Sequence, residues 1–314
     1  MMIARVFPSC ALAALFVACG SRSALLVSSE EAPKRPTASA GDAVPGTATT
    51  PGMPTSTFIY TLDESNFLWR FDPLAATDTL IGPVNCESGG VSSAIAMAVD
   101  RSGTIYIAYS DGRNGHVDQV SSTTASCERS FTADSVSSFI PNGMAFAAEP
   151  GTNRETLYAF IADSNHIVDL VSLDARSFAA NGIAEIFGSA TGVRIGATAN
   201  GGILGLTGTG SGSLFMFATE PLTGKEYAMV QVDRVTGACT LSTWTLAAAD
   251  SQVAGFPPVT AAFWGSALYV FGVDGDATTT AVLRVGPNGK PSTMVAQRSG
   301  RCLLLAVQTT APTP

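Results

Sequence analysis

The sequence predicts an all-β protein built from one repeated sheet unit, and three observations predict it. Composition is the first. Of 314 residues, 46% are hydrophobic and only 13% charged, with 31 glycines. The usual charged share is about a quarter, and long amphipathic helices need Lys, Glu and Arg on their outer faces. A chain short of them favours many short strands joined by tight turns. The second observation is an apolar–aromatic pair that recurs as Ile59-Tyr60, Ile105-Tyr106, Leu157-Tyr158, Leu214-Phe215 and Leu268-Tyr269. Its aromatic residues stand 46, 52, 57 and 54 apart. Third, each pair belongs to a set of extended runs. FLWRFDP (67–73), HVDQVSS (116–122), HIVDLVSLD (166–174), YAMVQVDRVTG (227–237) and AVLRVGPNG (281–289) follow the pairs, and a further run follows each of these.

A small-residue strand precedes four of the five pairs: IAMAVD (95–100), GMAFAAE (143–149), ILGLTGTG (203–210) and TAAFWG (260–265). Four strands in roughly 50 residues is the signature of a β-propeller blade. Small residues suit the innermost strand, which crowds against its neighbours around the axis. Turns such as DRSG (100–103), DGRNG (111–115) and DGD (274–276) punctuate the hairpins. The first blade has no small-residue strand before Thr57, and RCLLLAVQ (301–308) follows the fifth blade with no partner after it. Placed innermost in blade one, it closes the ring and removes two sheet edges. Five blades over 57–308 is the expected architecture, with six blades or a β-sandwich as alternatives. Residues 309–314 are expected to be a disordered tail.

The N-terminus carries an address. Arg5 precedes an apolar stretch, Ala11 to Ala18, too short to span a bilayer. Residues 1–18 therefore read as a signal peptide. LFVAC, Leu15 to Cys19, resembles the lipobox of bacterial lipoproteins. That resemblance implies acylation of Cys19, with several chains giving stable membrane anchoring. It also implies a place in the cell envelope. Gly20 stands where the best-known sorting rule has an inner-membrane Asp, which points to the outer membrane. Residues 19–56 then form the anchor and a tether, with Pro33, Pro36, Pro45, Pro51 and Pro54 set among Ala, Thr, Ser and Gly. Such a segment lacks the apolar area to offset its ordering entropy.

Two segments resemble known propeller repeats. MAVDRSGTIYIAY (97–109) is similar to NHL-type repeats, and PNGMAFAAEPGTNRETLYAF (141–160) to a blade of the gluconolactonase-like propellers. The CGSR start at Cys19, FLWRFDP, LTGTG (206–210) and AFWG (262–265) resemble bacterial lipoproteins with a propeller domain, a family that brings no activity with it. The gluconolactonase-like resemblance implies a divalent cation, such as calcium, in the central channel, with Asn142 as a ligand. A hard cation needs several oxygens, usually including carboxylates. Those propellers supply a Glu from a Glu-Gly-Pro segment and an Asp from a Pro-Asp-Gly segment. Here the nearest tripeptides are Ile81-Gly82-Pro83 and Pro287-Asn288-Gly289. Asn142 is accordingly expected to be a turn residue, with no cofactor bound.

Other site chemistry is sparse. His116 and His166 each open the third strand of a blade and look isolated, where a metal site wants clustered ligands. No run of Lys or Arg accompanies the net charge of −8, which excludes a nucleic-acid footprint. Thr207 to Gly212 lies between strands and implies no phosphate loop. Trp69, Trp244 and Trp264 either stack on sugars or fill space between blades, the second being expected. Asp63, Glu64, Asp100, Asp163 and Asp274 either line one mouth of the channel or serve hairpin turns, again the second. An exported protein with Cys86, Cys127, Cys239 and Cys302 suggests disulfides. Cys127 and Cys239 sit two blades apart, which leaves two pairings. Cys86 with Cys127 joins neighbouring blades. The function that follows is a non-catalytic binding module for a protein, peptide or glycan, held to a membrane by its anchor. The alternative is a metal-dependent lactonase or hydrolase with its site in the central channel.

Overall fold

The computed structural model describes residues 57–86, 93–110, 115–132, 141–162, 168–186, 203–219, 226–247, 255–265, 267–286 and 293–311. Cys19, Asp163 and His166 lie outside them, as do residues 1–56, expected from the sequence to be leader, anchor and tether. Among the described residues, twenty strands form five four-stranded antiparallel sheets. Blade one contains β1 (Ile59–Asp63), β2 (Phe67–Asp72) and β3 (Thr77–Pro83). Its innermost strand is β20 (Cys302–Val307), paired along β1 in the order β20-β1-β2-β3. Blades two to five are continuous, running β4 (Ser93–Val99) to β7 (Cys127–Thr132), β8 (Pro141–Ala148) to β11 (Ala180–Glu185), β12 (Ile203–Gly208) to β15 (Cys239–Ala247), and β16 (Pro258–Trp264) to β19 (Thr293–Ser299). The protein is a five-bladed propeller closed by its C-terminal strand, which sets aside the six-bladed and sandwich alternatives.

Side chains alternate faces along a strand, and that period explains the repeated pair. Each pair lies on the second strand of its blade. The aromatic member faces the following blade and the aliphatic member the preceding one. Tyr60 packs in the seam between blades one and two, where Ile105 meets it. Tyr106 and Leu157 fill the next seam, Tyr158 and Leu214 the third, Phe215 and Leu268 the fourth, and Tyr269 and Ile59 the last. The core is therefore five seams rather than one centre. Trp264 and Trp244 serve the same purpose. The Trp264 indole donates to the Thr57 carbonyl at 2.8 Å, and Trp244 packs edge-on against Phe263.

Acidic residues at turns accept backbone N–H groups. The carboxylate of Asp63 takes Ser65 and Phe67, that of Asp100 takes Ser102 and Thr104, and that of Asp274 takes Thr278 and Thr279. Asp63 and Asp274 sit between second and third strands, whereas Asp100 sits between first and second. The two kinds of turn lie on opposite faces of the ring, so Asp100 shares no mouth with Asp63 and Asp274, and each of the three carboxylates serves its own turn. Backbone hydrogen bonds from Ser177, Thr236 and Thr279 hold the carboxyls of Asp174, Asp233 and Asp274 below the usual range.

Residues 309–311, expected as part of a disordered tail, are packed against the ring. The buried Thr309 hydroxyl donates to Glu155 at 2.6 Å, and Ala311 joins the seam between blades five and one. Glu155 also accepts the Arg101 backbone N–H at 2.8 Å. The tail thus ties itself to blades two and three beyond the last strand.

Blade one, made from two separate stretches of chain, is fastened at its outer rim on both sides. Towards blade five, Arg298 lies over the Trp69 ring at 4.6 Å and 3.8 Å from Asp78. Both side chains are more than nine-tenths buried. Burial raises the Asp78 carboxyl above its usual range, and Arg298 offsets part of that shift. Towards blade two, a disulfide joins Cys86 to Cys127. Cys239 and Cys302 are buried free thiols.

Candidate functional site

The five inner strands converge on the axis, where residues from all of them line one small space. Every inner strand carries one extra residue at an equivalent bulge: Ile95, Asn142, Leu204, Val259 and Leu303. Asn142 is therefore a strand residue at a β-bulge, and not the turn residue that Pro-Asn-Gly suggests locally. Pairing of β8 with β9 (Glu155–Ala162) overrides the turn signal. Its four counterparts around the ring are aliphatic. Below them the axis is lined by Met97, Met144, Leu206 and Leu304, with Thr260 as the polar exception. The space left is about 20 Å³, room for about one water. A divalent cation would find one hydroxyl and no carboxylate among these neighbours. They do not fit the cation that the gluconolactonase-like resemblance implies.

A larger space opens at the outer rim of the first seam. The end of β3 abuts the turn before β7. A Cβ placed on Gly82 would sit 3.7 Å from that of Ala125. Between them runs a groove of about 620 Å³, lined by Pro83, Asn85, residues 124–126 and the first residues of β7. Its size is that of a small-ligand site. The walls combine hydroxyl, amide and backbone groups with the exposed charged residues Glu128 and Arg129, and polar and apolar surface are about equal. The corresponding turns of blades one, three and four begin with Asp72, Asp174 and Asp233. In blade two Ser121 stands there, and its hydroxyl takes Thr123 N–H at 3.3 Å. The groove thus receives no turn carboxylate. Arg129 turns its guanidinium onto Phe131, 4.4 Å from the ring.

One wall of the groove leads to a buried polar cluster. Ser130, which lines it, donates to Asp118 at 2.6 Å. His116 Nε2 stands 3.6 Å from the other carboxylate oxygen, and the imidazole stacks on Tyr109 at 5.0 Å. The Asp118 side chain is fully buried and that of His116 is 10% exposed. Burial and the Asp118 charge both push the Tyr109 phenol up. His116 is thus not isolated, as residue-by-residue reading suggests. Its partner was legible in His116-Val117-Asp118, because residues two apart on a strand share a face. The order is not that of a Ser–His–Asp relay, because the Ser130 hydroxyl gives this hydrogen bond to the carboxylate and not to the imidazole. Among the described residues no group of three or more His, Cys, Asp or Glu converges as a metal site would.

No family model matches the chain, and no curated protein matches it. Solved structures similar to it include the Dos1 propeller, at 13% identity over 77% of this chain with a TM-score of 0.36. This chain spans 55% of the length of that one. TolB from Acinetobacter baumannii is 10% identical over 85% of this chain and 69% of its own, at a TM-score of 0.44. A putative 6-phosphogluconolactonase from Bacteroides fragilis is 8% identical over 82% of this chain and 99% of its own, at 0.36. Likeness of this degree transfers neither activity nor ligand.

Proposed function

We propose that this propeller is a non-catalytic binding module of the cell envelope, anchored through Cys19, that takes a peptide or glycan in the groove between blades one and two. One contrast carries the reading. The axis, where the metal-dependent alternative needs its site, leaves only about 20 Å³ among side chains that are aliphatic apart from Met97, Met144 and Thr260, whereas the rim groove, at about 620 Å³, is of ligand size. Asn85, Thr124, Ser126 and Ser130 offer donors and acceptors suited to a hydrogen-bonding ligand. The anchor rests on LFVAC and the outer membrane on Gly20. The absence of a basic run speaks against a nucleic-acid partner.

Binding of the full chain in detergent to peptide and glycan arrays tests this. The expected result is a retained ligand whose binding is lost in Ser126→Trp, which fills the groove from an exposed position, and kept in Asn142→Ala. Binding that survives Ser126→Trp but disappears in Asn142→Ala would overturn the reading in favour of the axis.

A further inference from the structure

We propose that the Cys86–Cys127 disulfide is a thiol–disulfide exchange site, through which a dithiol loosens the wall of the rim groove. The exchange rests on accessibility and position; its effect on ligand rests on the groove reading above. Cys127 lines the groove, and both cysteines are only partly buried. A small dithiol therefore reaches a sulfur from solution without the domain unfolding. Cys239 and Cys302 offer no such access. Burial pushes their thiols up to about 11 and about 12, so neither supplies a competing thiolate.

The chemistry balances with a dithiol as reductant. Its thiolate attacks the sulfur of Cys127, a residue that lines the groove. The Cys86 sulfur leaves with the bonding pair and takes up a proton. The second thiol of the reductant, as thiolate, attacks the mixed disulfide and releases Cys127, which is protonated in turn. Two thiols form in the protein, and the dithiol becomes a disulfide.

What the bond restrains is local. It ties the end of blade one, just past β3, to the start of β7. Beside it, at the rim, Gly82 has no side chain, and even an added Cβ would only reach van der Waals distance of Ala125. Deeper in the same seam, Leu62, Leu68, Ile105, Ile107 and Val120 remain fully buried. On the opposite side blade one keeps Arg298 over Trp69. Reduction thus frees the groove wall and leaves the ring closed, a sub-global opening.

The test treats the full chain in detergent with dithiothreitol under native conditions. Alkylation is followed by mass spectrometry and amide exchange by segment. Cys86 and Cys127 should be alkylated together while Cys239 and Cys302 stay protected. Exchange should rise at least tenfold over 82–86 and 124–130, with no change in β1 and β20. The Cys86→Ser, Cys127→Ser double variant should show the faster exchange without reductant and no further response. Alkylation of Cys86 and Cys127 only in step with Cys239 and Cys302, on global unfolding, would overturn the proposal. So would unchanged exchange in the double variant. Exchange as described, with array binding unaffected by reductant, would uphold the exchange site and count against the groove as the ligand site.

Discussion

A chain ending at Gly300 is expected not to fold. β20 is the inner strand of blade one and pairs along the whole of β1. Cys302, Leu305 and Val307 are buried in the seam with blade five, and Ala306 in the seam with blade two. Losing a large buried aliphatic side chain costs about 2–5 kcal/mol, and two are lost here. That approaches the roughly 5–15 kcal/mol that holds a whole domain. The ladder to β1 goes as well, leaving the inner edge of blade one exposed at the axis. The tie from Thr309 to Glu155 is also removed. Circular dichroism on heating should show no cooperative transition in the truncated chain. A melting temperature equal to that of the full chain would contradict ring closure by β20.

The Gly208→Ala substitution should be the most damaging single change. A Cβ at Gly208 would lie 1.9 Å from the Phe146 carbonyl oxygen and 2.7 Å from its carbon. Both are backbone atoms of β8, in the neighbouring inner strand, so no rotamer change relieves the clash. The two strands are also tied there, because Ala148 N–H donates to the Thr209 carbonyl at 3.2 Å. Overpacking in a core costs about 1–3 kcal/mol when side chains can adjust. Here backbone must move, so a loss of about 3 kcal/mol or more is expected. Gly182→Ala is the control: nothing lies within 4 Å of its Cβ position, and its effect should stay within about 0.5 kcal/mol. Chemical denaturation of both variants measures the difference, and equal midpoints would contradict the inner-strand packing.

Gly208 also shows why the fold was legible in the sequence and much of the candidate site was not. Small residues in the inner strands and the apolar–aromatic pairs are direct consequences of crowding at the axis and of the two-residue period. Each recurs five times, or four with β20 supplying the fifth, so the signal is redundant. Bulges carry no such mark. Asn142 reads as a turn residue until its strand is paired, because Pro-Asn-Gly has the local chemistry of a turn. Residues 309–311 are small and carry no repeat, and the burial of Thr309 depends on Glu155 far away in sequence. The rim groove has no motif at all, since it forms where the end of one blade meets the outer strand of the next. Only the neighbouring positions of Cys86 and Cys127 hinted at that meeting point. His116 and Asp118 were visible as a pair in the alternation of β6 (Gly115–Ser121), but only when read by strand face.

The claim that ligand chemistry belongs to the rim and not to the axis is tested most directly by hydrolysis of lactone and ester substrates by the full chain in detergent, with calcium, zinc or manganese added in turn. An axis lined by Ile95, Met97, Met144, Leu204, Leu206 and Leu304 predicts no turnover above the uncatalysed rate with any of the three. Turnover that falls in Asn142→Ala would place a working metal site beside β8 and contradict the account.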